Sequence, residues 1–381
     1  MQAQHSSPHY DLIVVGAGIV GLAHAYTAAR RGLSVCVIDK DAACVGASIR
    51  NFGFVTVTGQ GAGDTWRRAR RSREVWGEVA PPAGIDIVHQ GLWLAAQRPQ
   101  ALRVLEEFMA TEMAEGCELL PPQEAARRAP ALRLDGERGP VRAVLHSPHE
   151  ARVESRTAIA QLARWLAEAH GVAFRFGEQV LEVATPRVRT ARATLHAERV
   201  AVCTNAELGG LLAERIAPHG LRLCQLHMLR VQPPEGFQLP GSVMGDLSLV
   251  RYLGYSRLPA AQALRAQLDV EEGESLAHGI HLIVVQSADG SLVVGDSHHY
   301  GPVVEPFADT RVDELILHHL QQALHLPAFH VTQRWLGTYP SSPVTDCLID
   351  APDDATRLVL VTSGTGASTA FGIAEDVFAA W

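Results

Sequence analysis

Lysine is almost absent from this sequence: Lys40 is the only one, although lysine and arginine together number 33. Positive charge is not in excess either, since the formal net charge is −8 at pH 7. That balance argues against a nucleic-acid partner, which binds proteins through surplus lysine and arginine. None of the six cysteines forms a C-x-x-C pair or has the spacing of metal ligands, so we expect free thiols and no metal site.

Long apolar runs are also scarce. The best candidate, residues 12–29, contains three glycines and His24, and an acid-terminated strand follows it, which is typical of a nucleotide-binding turn and not of a membrane span. No basic segment with a cleavage site precedes Tyr10. We therefore expect a cytoplasmic protein without a membrane segment, whose 381 residues are enough for two domains.

The most informative segment is DLIVVGAGIVGLAHAYTAARRGLSVCVID, residues 11–39, which indicates a strand, a tight turn, a helix and a second strand. Gly16 permits the sharp turn, Gly18 lets the backbone approach a pyrophosphate, and Gly21 lets the helix pack closely on the sheet. The helix N-terminus then favours the negative diphosphate. Asp39 ends the second strand, where it can accept hydrogen bonds from ribose hydroxyls. The pattern predicts a site for FAD or NAD.

A second glycine turn, SGTGAST at residues 363–369, also follows an apolar strand and opens a helix. An NAD-dependent dehydrogenase has no use for this turn, so it is the least favoured alternative. In a flavoprotein the N-terminus of such a helix stabilises the negative charge of the reduced ring. An ordinary strand-to-helix connection is the other interpretation, but the two turns together favour FAD.

The middle of the chain has a different pattern. Residues 221–305 contain segments that alternate between apolar and polar residues, typical of an antiparallel sheet with one face covered. Helices are predicted over 64–79, 99–115, 157–170 and 310–324. We therefore predict an α/β fold in which an antiparallel-sheet substrate domain interrupts a discontinuous, Rossmann-like FAD-binding domain. The FAD-binding segments are predicted as 1–85, 151–220 and 330–381, and the substrate-domain segments as 86–150 and 221–329.

The order of segments resembles the FAD-dependent amine oxidoreductases of the D-amino-acid oxidase and glycine oxidase superfamily. The resemblance rests on VVGAGIVGLAHAYTAARRGLSV, GASIRNFG, AVCTNAE, DGSLVVGDS, RWLGTYP and TSGTGASTAFGIAED, and it covers nearly the whole chain. It implies a D-amino-acid-oxidase-type fold with non-covalent FAD, because Cys347 follows Asp346 instead of preceding that segment, as the flavin-linked cysteine of sarcosine oxidases does. The cofactor residues that it implies are Gly16, Gly18, Gly21, Asp39, Lys40, Ser48, Arg50, Asn51, Val180, Gly337, Gly364, Thr365, Gly366, Ala367 and Ser368.

Three segments, RNFGFVTVTGQ, RSREVW and TSGTGASTAFGIAED, resemble a subgroup of FAD oxidoreductases associated with phosphonate catabolism. This resemblance implies 2-aminoethylphosphonate or its N-methyl form as the substrate, with O2 or another electron acceptor. The superfamily chemistry requires no catalytic acid or base, because a neutral amine passes hydride from its α-carbon to flavin N5 and the imine then hydrolyses to an aldehyde. With one lysine in the chain, none is spare to activate oxygen over the flavin.

The chain departs from its relatives at the substrate end. Amino-acid oxidases of this type often carry G-x-R-P, whose arginine binds the substrate carboxylate. Here the segment is GTYP at residues 337–340, so an α-amino acid loses that partner and another anion has room. A metal held by His298 and His299 is disfavoured because neighbouring strand residues face opposite ways. The substrate-site candidates are His281, His298, His299, Tyr300, Tyr339, Arg50 and Arg251.

Two other functions stay open. Glycine, sarcosine or a D-amino acid is the alternative substrate class, although Tyr339 disfavours it. The alternative from another class is an FAD-binding subunit whose catalysis needs a partner protein. Such a subunit, purified alone, would not react with any amine.

Overall fold

The computed structural model describes residues 9–136 and 139–381, which form two sheets with helices packed on both. The strands are β1 (His9–Val15), β2 (Val35–Ile38), β3 (Phe54–Val55), β4 (Ile87–Ala96), β5 (Glu118–Leu120), β6 (Ala143–Val153), β7 (Ala173–Arg175), β8 (Val180–Ala184), β9 (Arg187–Thr190), β10 (Thr194–Val202), β11 (Arg222–Gln232), β12 (Ser242–Met244), β13 (Ile283–Gln286), β14 (Leu292–Gly295), β15 (His299–Gly301), β16 (His330–Ser341), β17 (Cys347–Asp353) and β18 (Thr356–Val361). The helices are α1 (Ile19–Ala29), α2 (Asp64–Val79), α3 (Pro99–Met109), α4 (Pro122–Arg128), α5 (Ser155–His170), α6 (Ala213–Ile216), α7 (Asp246–Leu249), α8 (Leu253–Ser256), α9 (Pro259–Glu271), α10 (Gly273–Ala277), α11 (Thr310–Ala323) and α12 (Gly366–Ala379).

The first sheet has the strand order β17-β18-β10-β1-β2-β7, and the hairpin of β8 and β9 joins it through β10. Its central strands are parallel, because β1 pairs with both β10 and β2, and β10 pairs with β18. The interior of β1 and all of β2 are apolar, as expected where both faces of a parallel sheet are covered. Helices α1, α5 and α12 pack on one face. This sheet confirms the predicted Rossmann-like part of the α/β fold.

The second sheet has the order β15-β11-β14-β13-β12-β4-β6-β3, with β16 on β11 and β5 on β6. Its strand pairs are mostly antiparallel, as predicted, although β12 and β4 run parallel. The expectation that one face alone is covered was wrong. β13 and β14 are buried at every position, because α3 and α9 cover one face and α11 covers the other.

Two local features differ from the sequence-based expectation. β16 lies in the segment 330–381 assigned to the FAD-binding domain, yet it pairs with β11 in the second sheet, from Arg222 opposite Ser341 to Gln232 opposite His330. Its sequence, HVTQRWLGTYPS, shows no regular alternation, so the pairing alone decides its sheet. The helix predicted over 99–115 ends at Met109, and a separate 3₁₀ turn follows at Glu112–Ala114.

The helices are of ordinary length. Of those described, α2 and α5 are the longest, with 16 residues each, and α2 is rich in arginine. Within residues 9–136 and 139–381, no helix combines the length and the apolar character that a membrane crossing requires.

Close packing joins α2 to α12. Arg67 Nη2 and Arg68 Nε each lie 2.7 Å from Asp376 Oδ2. Where the helices cross, Gly372 N donates a hydrogen bond of 2.9 Å to Ser72 Oγ. A Cβ atom on Gly372 would lie 2.7 Å from the Cα and carbonyl oxygen of Arg68, so only glycine permits this approach. The contact fixes the position of α12 relative to the rest of the molecule.

We expect Gly372→Ala to lower the free energy of unfolding by about 1–3 kcal/mol, because the added methyl group forces the two helix backbones apart. Alanine raises helix propensity by about 1 kcal/mol, which acts in the opposite direction. Chemical denaturation measures the change. The control is Gly273→Ala in α10, where a Cβ meets no atom within 4 Å and no loss is expected. Equal stability of the two variants would contradict the close contact.

Candidate functional site

Two connected cavities lie at the carboxyl ends of the central strands of the first sheet. The main cavity lies between the two sheets, with a space of about 1400 Å³ that includes open solvent. The adjoining cavity extends past the ends of β1 and β2, with about 1190 Å³ that likewise includes open solvent. Gly18, Ser48, Arg50, Asn205 and Thr338 line both, so the two form one elongated space. Ligands of open parallel sheets bind at this edge.

The first glycine turn forms the wall where the two cavities meet. Asp39 Oδ2 accepts a hydrogen bond of 2.7 Å from Ala17 N, so the carboxylate at the end of β2 holds the turn in place. α1 begins after Gly18, which makes no side-chain cap, and Ser48 Oγ accepts from Ile19 N at 3.0 Å. Gly21 does not line a cavity, but a Cβ there would lie 1.9 Å from a backbone oxygen of the turn. Its predicted packing role fits this contact.

The adjoining cavity contains the predicted adenosine-side residues. Asp39, Lys40 and Val180 line it together with Gly16. Lys40 forms an ion pair with Glu207, across the mouth of the same cavity. The buried Thr204 Oγ1 also lies in this wall and has no hydrogen-bond partner among the described residues. An unpaired buried hydroxyl indicates a polar ligand beside it.

The second glycine turn lines the main cavity. α12 begins at Gly366, and Thr365 at its N-cap makes no side-chain cap, which leaves the first amides of the helix available to a ligand. Ser368 Oγ accepts from Thr56 N at 2.9 Å, and Trp76 Nε1 donates to Ala367 O at 2.8 Å. These bonds hold the start of α12 between the second sheet and α2. The five predicted residues of this turn that line the cavity are Gly364, Thr365, Gly366, Ala367 and Ser368.

The loop after β2 forms another wall of the main cavity. Asn51 lines it, but its side chain is committed to the loop, because Nδ2 donates to Ala47 O at 2.8 Å and Oδ1 accepts from Gly53 N at 2.6 Å. The carbonyl oxygen of Arg50 accepts from Trp335 Nε1 at 3.0 Å. The Arg50 side chain is exposed at the rim shared by the cavities.

A half-buried cation, Arg251, lies at the other end of the main cavity. Arg251 lines the cavity, and its Nη2 donates to Tyr300 Oη at 3.0 Å. Burial alone would lower the pKa of Arg251, but Tyr339, Tyr300 and Asp296 outweigh it and raise the pKa. Tyr339 also lines the cavity, 8% exposed, with its ring against Gly364. Burial raises the pKa of Tyr339, so its hydroxyl is a neutral donor.

Beside this cation lies a cluster of one acid and two histidines, His281, Asp296 and His298, which we call the acid–histidine cluster. All three line the main cavity and are at most 6% exposed. Asp296 Oδ1 lies 3.0 Å from His281 Nε2, and Asp296 Oδ2 lies 3.6 Å from His298 Nε2. One ligand atom from each lies within 4.8 Å of the others, close enough to share a proton or an ion.

The structure separates the remaining candidates. His299 lines neither cavity, and its Nε2 lies 3.0 Å from His278 Nδ1. Tyr300 is 41% exposed and reaches the site through its bond to Arg251. Among predicted cofactor residues, Gly337 lines the main cavity. Sequence reasoning missed Asp296 and Tyr252, both in the cavity wall. The sequence contained a signal for Asp296, because this acid directly follows β14 and stands two residues before the predicted His298.

Comparisons with known proteins point to one family. The family described as DAO, FAD dependent oxidoreductase, matches residues 11–380. L-proline dehydrogenase from P. horikoshii aligns with a TM-score of 0.76 at 18% identity, over 97% of this chain and 92% of that chain. Glycine oxidase from Geobacillus kaustophilus aligns with a TM-score of 0.75 at 16% identity, over 98% of this chain and 94% of that chain. Iminodiacetate oxidase from Chelativorans sp. BNC1 aligns with a TM-score of 0.69 at 18% identity, over 96% of this chain and 93% of that chain. These likenesses show the fold, and no curated protein sequence matches.

The cavities fit an extended dinucleotide. The N-termini of α1 and α12 face one continuous space, which suits a diphosphate and an electron-rich ring; Ser48 takes the first amide of α1, and the first amides of α12 have no side-chain cap. Cys347 is unsuited to covalent attachment: it lines neither cavity, and burial raises the pKa of its thiol to about 12. Asp39, Val180 and the orphaned Thr204 hydroxyl would hold the adenosine end, and residues 364–368 would hold the ring.

We expect Asp39→Asn to weaken FAD binding about ten- to hundredfold, because the loss of a charged hydrogen bond costs about 1.5–3 kcal/mol. Fluorescence titration of the apoprotein with FAD measures the affinity. Asp86→Asn, at an exposed carboxylate on the segment before β4, is the matched control and should bind FAD normally. Unchanged affinity in Asp39→Asn would contradict the placement of the ribose at the end of β2.

Proposed function

Because this chain belongs to the DAO family of FAD-dependent oxidoreductases, we propose that it oxidises a small amine bearing a phosphonate group. The substrate in this proposal is 2-aminoethylphosphonate or its N-methyl form. The observation that carries it is the half-buried Arg251, which lies in the cavity wall beside the hydroxyl donor of Tyr339. A phosphonate has up to two negative charges and three oxygens, so it suits donors that approach from several directions.

The proposed reaction needs the substrate held between Arg251 and the start of α12. FAD, when bound, supplies the hydride acceptor for the carbon next to the amine. The N-terminus of α12 favours the negative charge that the reduced cofactor acquires. The walls of the main cavity orient the amine, and the product imine then hydrolyses in water to an aldehyde and ammonia or methylamine.

The proposal also includes the cofactor contacts, the domain roles and the electron acceptor. We assign the pyrophosphate to Gly16 and Gly18, the ribose to Asp39 and the adenine to the backbone of Val180. The first sheet would bind FAD, and the second sheet would cover the substrate. O2 is the proposed acceptor in a cytoplasmic enzyme. Lys40, the single lysine, is paired with Glu207 in the adjoining cavity, so a histidine or arginine would have to supply any activating charge.

A second candidate is oxidation of glycine, sarcosine or another small amino acid. Arg251 favours it, because a guanidinium in the cavity wall can bind a planar carboxylate as well as a phosphonate. The structure of a glycine oxidase is also among the similar folds. The bond from Arg251 to Tyr300 already uses one donor of the fork, which makes two-point carboxylate binding less favourable.

The test is an anaerobic absorbance scan of the purified, FAD-loaded protein with 2-aminoethylphosphonate and, separately, glycine and sarcosine. We expect the aminophosphonate to bleach the flavin band and the two amino acids to leave it unchanged. Bleaching by glycine or sarcosine alone would establish the second candidate. A flavin that no amine bleaches would contradict both and favour a subunit that needs a partner.

We expect Arg251→Gln to raise the KM for 2-aminoethylphosphonate about ten- to hundredfold, because a charged hydrogen bond contributes about 1.5–3 kcal/mol. Steady-state kinetics with the FAD-loaded variant measure the effect. Arg257→Gln, at an exposed arginine six residues away that lines neither cavity, should leave KM unchanged. An unchanged KM in Arg251→Gln would contradict the assignment of this arginine to the substrate's anion site.

A further inference from the structure

The acid–histidine cluster has hydrogen-bond acceptors that face one another without a proton between them. His298 Nδ1 lies 2.9 Å from the carbonyl oxygen of Gly279. A carbonyl can only accept, so Nδ1 carries the proton and the neutral ring has its lone pair on Nε2. That lone pair lies 3.6 Å from Asp296 Oδ2, itself an acceptor. The gap between them is suited to a proton or a small cation.

His281 is held in a similar way. Its carbonyl oxygen accepts the Ser248 hydroxyl proton at 2.6 Å, which leaves Ser248 Oγ as an acceptor 3.5 Å from His281 Nδ1. Asp296 Oδ1 is 3.0 Å from His281 Nε2, but the pair is not aligned, and Oδ1 has no hydrogen-bond partner among the described residues. The main cavity is therefore lined by a buried carboxylate oxygen whose hydrogen-bonding capacity is not met.

The charges around Asp296 indicate which kind of ligand can donate a hydrogen bond to its unpaired oxygen. Asp296 contributes one negative charge, and Arg251 acts on both Asp296 and His298 with a positive charge. A divalent metal ion would add two positive charges opposite a single carboxylate. An ammonium group adds one charge and brings N–H donors to the Asp296 oxygen and to His298 Nε2.

We propose that the acid–histidine cluster binds the substrate as its ammonium ion and that His298 Nε2 takes one proton from it before oxidation. In this step the N–H bond breaks, its electron pair stays on the amine nitrogen, and a new N–H bond forms on His298. Asp296 balances the resulting imidazolium. This inference rests on the proposed amine oxidation, which needs a neutral amine, and it gives that site a base that the sequence did not predict.

The electrostatics agree with the geometry. Burial and the charge of Arg251 lower the pKa of His298, so its ring is neutral near pH 7 and the lone pair on Nε2 is free. Burial would raise the pKa of Asp296, but His298, His281 and Arg251 lower it to about 2, so it is ionised there. The other titratable groups that act on Asp296 or Arg251 from the packed elements are Tyr252, Tyr339, Tyr300 and Cys224.

The pH profile of kcat/KM with 2-aminoethylphosphonate tests the proposal. We expect activity to rise as His298 loses its proton and to level off above about pH 10, where the substrate amine is already neutral. In Asp296→Asn we expect at least a tenfold loss at pH 7 that shrinks as pH approaches 10, because free amine needs no base. A merely structural role would lower activity equally at every pH.

Binding measurements supply a readout that does not depend on turnover. Ethylphosphonate carries the anion but no amine, and titration calorimetry with the FAD-loaded protein gives its affinity. We expect Asp296→Asn to bind it normally and Arg251→Gln to bind it at least tenfold more weakly. His298→Gln is the second variant and should show the same pH-dependent loss as Asp296→Asn. His299→Gln, next along the chain and outside both cavities, should match the unsubstituted protein.

Four outcomes would overturn the inference. A loss in Asp296→Asn and His298→Gln that is equal at all pH values would show that the cluster only supports the fold. One equivalent of divalent metal in the purified protein, lost in both variants, would make the cluster a metal site. If no amine bleaches the flavin of the unsubstituted protein, the proposed function fails and this inference fails with it. If an amine does bleach the flavin but Asp296→Asn leaves the pH profile of kcat/KM unchanged, the inference alone is overturned.

Discussion

The placement of the α12 N-terminus between the two sheets is the constraint on which the site depends. Thr56, in the segment that leaves β3, reaches it through Ser368, and Trp76 of α2 reaches it through Ala367. The α2 backbone approaches α12 so closely that residue 372 must be glycine. Without these contacts the uncapped amides at Gly366 would not face the main cavity, and the second sheet would not cover it.

The same arrangement places two opposite charges in one cavity wall. Asp296 is buried and Arg251 is half-buried, and each charge stabilises the other. Tyr300 accepts one hydrogen bond from Arg251, whereas Asp296 Oδ1 has no hydrogen-bond partner among the described residues. A cavity with one fixed cation and one fixed anion is suited to a substrate that has both charges.

Much of the candidate cofactor site could be predicted from the sequence because its determinants are local. The turn at Gly16 and Gly18 follows from a strand and a helix that are neighbours in the chain, and the acid at Asp39 follows at a fixed spacing. Residues 363–369 were found for the same reason. The substrate end is different. His298 and His299 are neighbours of one type, and only the pairing of β15 with β11 decides which of them lines the cavity.

The sequence by itself determined the two glycine turns, the parallel character of the first sheet and the α2 helix from Asp64 to Val79, because short-range periodicity and turn chemistry specify them. The tertiary structure alone decided that β16 joins the second sheet and that helices cover both faces of that sheet. It alone also brought Asp296 between His281 and His298. These features depend on contacts between residues far apart in the chain, and no local pattern encodes which distant strand or helix supplies the neighbour.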